Sequence, residues 1–199
     1  MYSRKKFKIC RKFGERIFSE VKITDEKLAK APGVHGAKRH KATSEFGKQL
    51  QEKQKVKYVY GLREKQFRRF YEKALSDAEP TPIALLRILE TRLDNVVYRA
   101  NMAYTRDQAR QMISHGHILV NGKKVTIPSF VVKTGDKVTY SATKSKLVAE
   151  YKNKLKDSDT PPWLTLDKKN QIVEVSHTPG VEELSQNFDI ALVIQYYSR

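Results

Sequence analysis

The sequence predicts an α+β fold: a helical domain, an inserted small α/β module of antiparallel strands and capped helices, and a basic extended N-terminal arm before both. Three observations carry that expectation. Between residues 43 and 100, apolar side chains recur at helical spacing. From residue 117 the pattern changes to short extended runs separated by the tight-turn pairs Asn121-Gly122 and Gly135-Asp136. The first 42 residues are dense in Lys and Arg and are broken by Pro32-Gly33 and His35-Gly36. The expected divisions are an arm over 1–42, a helical domain over 43–82 completed by 185–199, and an inserted α/β domain over 83–184 whose core module spans about 92–140.

The arm carries too little apolar surface to hold itself and is expected to take its order mainly from a partner. Thr43 or Ser44 can cap a helix that Gly61 stops, and LREKQFRRFYEKAL follows at once. In that second helix Phe67, Phe70, Tyr71, Ala74 and Leu75 form a buried face, while Lys65, Arg69 and Lys73 run along the opposite side. Thr81-Pro82 reads as an N-cap followed by proline at the first helical position. The third helix is expected over 83–100, with Leu85, Leu86, Leu89, Leu93, Val96 and Val97 entering a core.

Thr105 and Gln108 form a capping box, in which the hydroxyl accepts a backbone N–H and the amide reaches back to the cap. Ala109, Met112 and Ile113 give that helix an apolar face, and Gly116 is placed to end it in the left-handed conformation. Residues 117–120 turn extended, and Asn121-Gly122 predicts a type I′ hairpin. IPSFVVKTGDKVTY predicts two short extended runs about Gly135-Asp136, and KSKLVAEYKNKLK a charged amphipathic helix. PPWLTLD and QIVEVSH predict strands joined by a turn at 168–170, with Trp163 as a core anchor. NFDIALVIQYYSR is apolar enough for helix or strand, and periodicity alone does not decide between them.

Composition restricts function before any motif does. The 199 residues hold 39 Lys+Arg against 22 Asp+Glu, a net charge of +17 and a pI near 9.9. Such a balance bears on polyanionic partners rather than on fold. The excess is uneven: residues 1–60 hold 17 basic and 6 acidic side chains, whereas residues 141–199 hold 8 of each. A solvated surface has no need of that polarity, and a face turned toward a polyanion does. No run of about 18 apolar residues suggests a membrane span. MYSRKKFKIC lacks an apolar h-region, so export is not expected. One cysteine excludes an intramolecular disulfide and suits a reducing cytosol.

Catalytic and metal chemistry have little support. Cys10, His35 and His40 supply one thiol and two imidazoles, whereas structural zinc normally uses two close ligand pairs. His115 and His117 straddle a helix stop, which separates their rings poorly for one ion. Asp157/Asp159 and Glu182/Glu183 fall in polar connectors, and no glycine-rich phosphate cradle is present. No cofactor, metal or catalytic residue is therefore expected. Cations, by contrast, are abundant on elements with well-defined ends. Arg106 and Arg110 lie beside the apolar arc of their helix, where their guanidinium groups are expected on one exposed rim near Lys123 and Lys124. Tyrosines and arginines interleave in KVKYVYGLREKQFRRFY, which suits stacking and planar hydrogen bonding to a folded RNA read by shape.

The strings APGVHGAKRHKATSEFGKQLQEKQKVKYVYGLREKQFRRFYEKA, LLRILETRLDNVVYRA and TRDQARQMISHGHILVNGKKV closely resemble the bacterial-type small-subunit ribosomal protein S-four family. The resemblance runs from KICRKFGE to the terminal YYSR, and EKQKV…YG..E.QFR..Y is its most specific part. The stretch from RLDNVVYRA onward is also similar to a small RNA-binding module shared with some tRNA synthetases and pseudouridine synthases. The resemblance implies a non-enzymatic structural constituent of the small ribosomal subunit. It implies primary binding to small-subunit (16S-type) ribosomal RNA at a junction in the subunit body, early in assembly. It further implies a neighbouring small-subunit ribosomal protein where messenger RNA enters, an influence on decoding accuracy, and in some members binding of messenger RNA. It implies a cytoplasmic, ribosomal location with no membrane partner, and leaves a bacterial and an organelle-encoded origin both open. Alternatives are the RNA-binding module of an RNA-modifying enzyme, or a ribosome-associated RNA chaperone.

Carried over residue by residue, the implied RNA contacts are Lys38, Arg39, Lys48, Lys53, Lys55, Arg63, Arg68, Arg69, Arg92, Arg99, Arg106, Arg110, His115, Asn121 and Lys123. The same resemblance implies helix for Asp189 to Tyr197. Cys10 stands at one cysteine position of the family's zinc-carrying branch, but Phe7 occupies its near partner's place. The chain therefore looks like a zinc-free member. It also lacks the Gly-Pro pair common near the family's N-terminus.

Overall fold

Eight helices and one five-stranded antiparallel sheet are found among the described residues of this computed structural model, which are 3–18, 20–33, 36, 43–141, 160–167, 170–184 and 188–198. The helices are α1 (Ser3–Phe13), α2 (Asp25–Leu28), α3 (Glu45–Val59), α4 (Glu64–Leu75), α5 (Thr81–Glu90), α6 (Leu93–Arg99), α7 (Arg106–Ser114) and α8 (Ile190–Tyr197). The strands are β1 (Ile118–Val120), β2 (Lys123–Lys124), β3 (Lys137–Tyr140), β4 (Leu164–Asp167) and β5 (Ile172–Val175), in sheet order β2-β1-β3-β5-β4. Residues 1–64 with 186–199 make one compact unit, and residues 65–185 a second.

Three helices share one ending. After α3, α6 and α7 the chain takes a left-handed residue: Gly61 (φ 57°), Asn101 (φ 57°) and Gly116 (φ 73°). Each returns two N–H groups to carbonyls of the last turn. Gly61 donates to Tyr58 and Leu62 to Lys57, Asn101 to Tyr98 and Met102 to Val97, and Gly116 to Ile113 and His117 to Met112. This is the Schellman arrangement, which satisfies carbonyls that a helix end leaves orphaned. Leu62 and Met102 are buried directly after their turns, so the endings of α3 and α6 are also pinned by an apolar side chain.

In the first unit, Ser44 caps α3 by accepting the Gly47 N–H at 3.2 Å. Helix α3 packs along α8, which starts at Asp189 with its carboxylate accepting the Leu192 N–H. The C-terminal segment is thus helical. Contrary to the expectation of an arm ordered mainly by a partner, α1 is tied down within the chain. Cys10 is fully buried, Phe13 meets Tyr58 edge-on at 6.1 Å, and Lys55 pairs with Glu15. Apolar side chains spaced along a cationic helix, with one ion pair just beyond its end, make these ties.

In the second unit, α4 buries Phe67, Tyr71 and Ala74, half-buries Phe70 and exposes Lys65, Arg69 and Lys73. Leu75, expected inside, is exposed at the last residue of its helix. Helix α5 begins one residue earlier than the Thr81 cap predicted, so Pro82 occupies a slightly deeper first-turn position whose N–H is also an orphan. The expected helix over 83–100 is two helices. At the break the Leu93 and Asp94 N–H groups bond the carbonyls of Phe130 and Pro128 at 2.8 and 3.1 Å, and the Val132 N–H bonds the Thr91 carbonyl. A loop thus caps α6 where side chains do not. The same contacts explain why the run before Gly135 forms only an isolated bridge, Val131 to Arg92, instead of a strand.

Helices α6 and α7 and one sheet face enclose a core of Leu93, Val96, Val97, Met102, Met112, Ile113, Ile118, Val138, Trp163 and Val173, among others. Strand alternation sets which residues enter it, as in β3 and β5, where Val138, Tyr140, Val173 and Val175 point inward. The Tyr140 hydroxyl donates to the Met102 carbonyl at 2.8 Å, so its polar end is satisfied inside. KSKLVAEYKNKLK lies outside the described residues.

Candidate nucleic-acid interface

The break between α5 and α6 brings three buried acceptors together. Glu90, Asp94 and Asn95 are all buried, and each holds at least one arginine. Glu90 receives the Arg99 fork, Nε at 3.0 Å and Nη2 at 2.8 Å. Asp94 receives Arg92 through two bonds of 3.0 and 2.8 Å, and the Arg110 Nε at 2.8 Å. Asn95 spends its Nδ2 on the Glu90 carbonyl and carboxylate at 3.0 and 2.7 Å, which turns its Oδ1 toward the Arg106 Nε at 2.8 Å. Paired two-point bonds of this kind fix orientation as well as position. Arg106 also lies against the Tyr98 ring, 4.3 Å from Cζ to centroid, and Arg92 lies 5.3 Å from the Phe70 centroid. Arg106 and Arg110 are therefore half-buried and anchored, not laid out on an open rim as their wheel positions suggested.

A second anchored cation sits in the first unit. Lys53 is buried on α3, its ammonium 2.9 Å from a Glu64 oxygen and 4.2 Å from the Tyr196 ring centroid. Lys57 and the Tyr197 hydroxyl also reach Glu64, at 2.9 and 2.7 Å. Burial alone would raise this carboxyl's pKa, but the hydrogen bonds from Tyr197, Lys57 and Lys53 outweigh it and hold it at about 2.

At the hairpin corner, Asn121 (φ 51°) and Gly122 (φ 75°) make the expected turn. The Asn121 side chain is committed to the fold: its Nδ2 donates to Asp136 at 2.8 Å and its Oδ1 accepts the Lys137 N–H at 2.9 Å. Lys124 crosses the helix end so closely that a Cβ on Gly116 would lie 1.8 Å from its Cε. His115 and Lys123 are exposed on this corner, and the His115 and His117 rings stand 6.0 Å apart. The Thr105 cap forms at 3.1 Å, while the Gln108 amide oxygen accepts the Tyr104 N–H, one residue before the cap.

The candidate contacts thus fall into three groups. Arg92, Arg99, Arg106 and Arg110 converge on one buried acid cluster. Lys48, Arg63, Arg68, Arg69, His115 and Lys123 are exposed. Of these, Lys48 pairs with Glu45, and Arg68 with Glu72. Lys53 and Lys55 are largely buried in ion pairs with Glu64 and Glu15, and Asn121 is bonded into its turn. Lys38 and Arg39 lie outside the described residues. Sequence reasoning missed the acceptors. Glu90 and Asp94 stand four residues apart among leucines and valines, and acids on an apolar helical arc are a readable signal of buried pairing. Among the described residues, no group of three or more His, Cys, Asp or Glu could hold a metal ion. No helix among them is long and apolar enough to cross a membrane.

Guanidinium groups fixed on short, firmly ended helices beside an antiparallel sheet define a small α+β RNA-binding protein. Comparison with known proteins makes this particular. A family model described as "Ribosomal protein S4/S9 N-terminal domain" matches residues 1–90, and one described as "S4 domain" matches residues 91–138. "Small ribosomal subunit protein uS4" of Chlorobaculum tepidum is 42% identical over 194 residues, covering 96% of each chain. The protein of that name from Phocaeicola vulgatus is 43% identical over 200 residues, covering 100% of this chain and 98% of its own. That from Chlorobium phaeovibrioides is 41% identical, again over 96% of each. The chain belongs to the ribosomal protein S4 family, whose members are ribosomal structural proteins and not enzymes.

Proposed function

We infer that this chain is a structural constituent of the small ribosomal subunit, where it binds 16S-type ribosomal RNA by neutralising phosphates and docking as a rigid body. The observation that carries the reading is full-length similarity, over 96% of both chains, to small ribosomal subunit proteins. Exposed cations on capped elements supply the mechanism, because each phosphate neutralised releases condensed counterions. Finer parts of the reading are binding at an RNA junction early in assembly of the subunit body and a contribution to decoding accuracy. A protein neighbour where messenger RNA enters, binding of messenger RNA, and a cytoplasmic location complete it. The exposed Lys48, Arg63, Arg68, Arg69, His115 and Lys123, with Lys38 and Arg39, make direct contacts. Lys53, Lys55, Arg92 and Asn121 act by holding the surface in shape. The division into an arm over 1–42, a helical domain over 43–82 with 185–199, and an inserted domain over 83–184 is part of the same reading.

Filter binding to small-subunit ribosomal RNA at several salt concentrations tests it. Log affinity should fall against log salt by about 0.7 to 0.9 per phosphate contacted. A flat response, or equal affinity for any RNA of similar length, would remove the reading.

A further inference from the structure

The pair Arg106–Tyr98 has a geometry that phosphate binding does not require. Arg106 is held at three levels: its guanidinium packs on the Tyr98 ring at 4.3 Å, its Nε bonds Asn95 at 2.8 Å, and the Asn95 amide is itself fixed by Glu90. The Asn95 amide serves between a carboxylate and a guanidinium because it donates to one through Nδ2 and accepts from the other through Oδ1. The outcome is a guanidinium plane of set direction, backed by an aromatic ring. Charge argues the same way. Around this corner Arg92, Arg99, Arg106 and Arg110 face Glu90, Asp94 and Asp107, so four cations meet three carboxylates, with Asp107 3.7 Å from Arg110. Field at a distance is largely cancelled, leaving a poor phosphate trap, while planarity is preserved. Tyr104, two residues before Arg106, adds a well-exposed aromatic ring.

We propose that the Arg106–Tyr98 pair is a stacking site for one unpaired nucleobase of the bound RNA, with Asn95 as a positioning residue. An unstacked base gains from lying on a guanidinium or aromatic plane whatever its identity. The site therefore reads where the RNA exposes a base, and the exposed cations elsewhere read its backbone. This inference rests on the RNA-binding reading above.

The test compares Arg106→Lys with the unaltered full chain in filter binding to small-subunit ribosomal RNA at several salt concentrations. Lysine keeps the charge and loses the plane. The expected result is an affinity loss of about tenfold or more with an unchanged salt slope. Binding within about twofold of the unaltered chain would overturn the stacking site, since a point charge would then suffice, yet would leave RNA binding itself intact. Failure of the unaltered chain to bind would instead sink the underlying reading. Should Arg106→Lys fold poorly by circular dichroism, ultraviolet crosslinking of the unaltered complex decides. A nucleotide adduct on the tryptic peptide 93–99 or 100–106 supports the site, and absence of adducts from both overturns it.

Discussion

The two units solve the problem of a buried ion pair in opposite directions. In the first, the cation is inside: the Lys53 side chain is 4% exposed and its partner Glu64 46%. In the second, the acids are inside: Asp94 and Glu90 are each 2% exposed, while Arg110 and Arg99 reach outward at 23% and 28%. Burying the acid turns the cationic ends of Arg99 and Arg110 toward solvent, although Arg92 stays buried beside Asp94, and burying the cation withdraws it. Lysine suits the inward role, as a compact charge that fits between tyrosine rings and a carboxylate. Arginine suits the outward one, because its fork can hold a carboxylate and still keep a defined plane. Ion pairing of the same kind therefore produces a structural clamp in one unit and a presenting surface in the other.

The comparison breaks most readily at Asp94. Replacing it with asparagine leaves the buried Arg92 guanidinium without its counter-charge and releases Arg110. Arg92 already has one nitrogen, Nη1, with no partner. Uncompensated buried charge costs about 3–5 kcal/mol. Urea denaturation of Asp94→Asn should show a loss of that size, and a loss below about 1 kcal/mol would mean that the acids are not what holds the arginines.

The inward-facing pair should be less costly to break, because Glu64 is half-exposed. Glu64→Gln removes charge-assisted bonds from Lys53, Lys57 and Tyr197, for an expected loss of about 1–3 kcal/mol at pH 7. Its pH dependence has a definite sign. A carboxyl held at about 2 against an ordinary 4.5 contributes stability that is complete above pH 4.5 and is lost as pH falls toward 2. The gap between the unaltered protein and Glu64→Gln should therefore narrow progressively below pH 4.5. A gap constant across that range would show that the carboxylate charge is not the source.

Much of this was readable in the sequence, and what was not has a common cause. Helix ends marked by Ser44, Gly61, Thr105 and Gly116, and the Asn121-Gly122 turn, act through local backbone chemistry that a few adjacent residues determine. The split between Glu90 and Leu93 was invisible because it depends on carbonyls 34 and 37 residues further along the chain, at Pro128 for Asp94 and Phe130 for Leu93. The buried stripe of α3 was equally hidden. It consists of Gln49, Lys53 and Val56, so apolar periodicity could not announce it. Arginine positions were legible as candidates, but which were anchored and which were open required the partners in space.

A smaller effect is expected at Gly116, which serves the outward-facing unit through backbone alone. Alanine there meets both a left-handed φ of 73° and the Lys124 side chain. The conformational penalty is about 1–2 kcal/mol, and the flexible lysine can move aside. Thermal unfolding should register it, and RNA affinity should fall further than stability alone implies, because moving Lys124 disturbs the corner that carries His115 and Lys123.

The smallest stability effect belongs to the exposed face of α4, and it should have the opposite sign. Lys65, Arg69 and Lys73 lie at i, i+4 and i+8, and no hydrogen bond or ion pair to their side chains is found among the described residues. Like charges at that spacing destabilise a helix by about 0.2–0.5 kcal/mol per pair. Replacing all three with glutamine should therefore leave stability unchanged or slightly improved. RNA binding should nevertheless weaken, and the salt slope should fall by about 0.7 to 0.9 for each phosphate contact removed. A protein that grows marginally more stable while losing its ligand would separate presentation from support. If affinity and slope both stay unchanged, the stripe is a solvated helix face, and presentation rests on the anchored arginines.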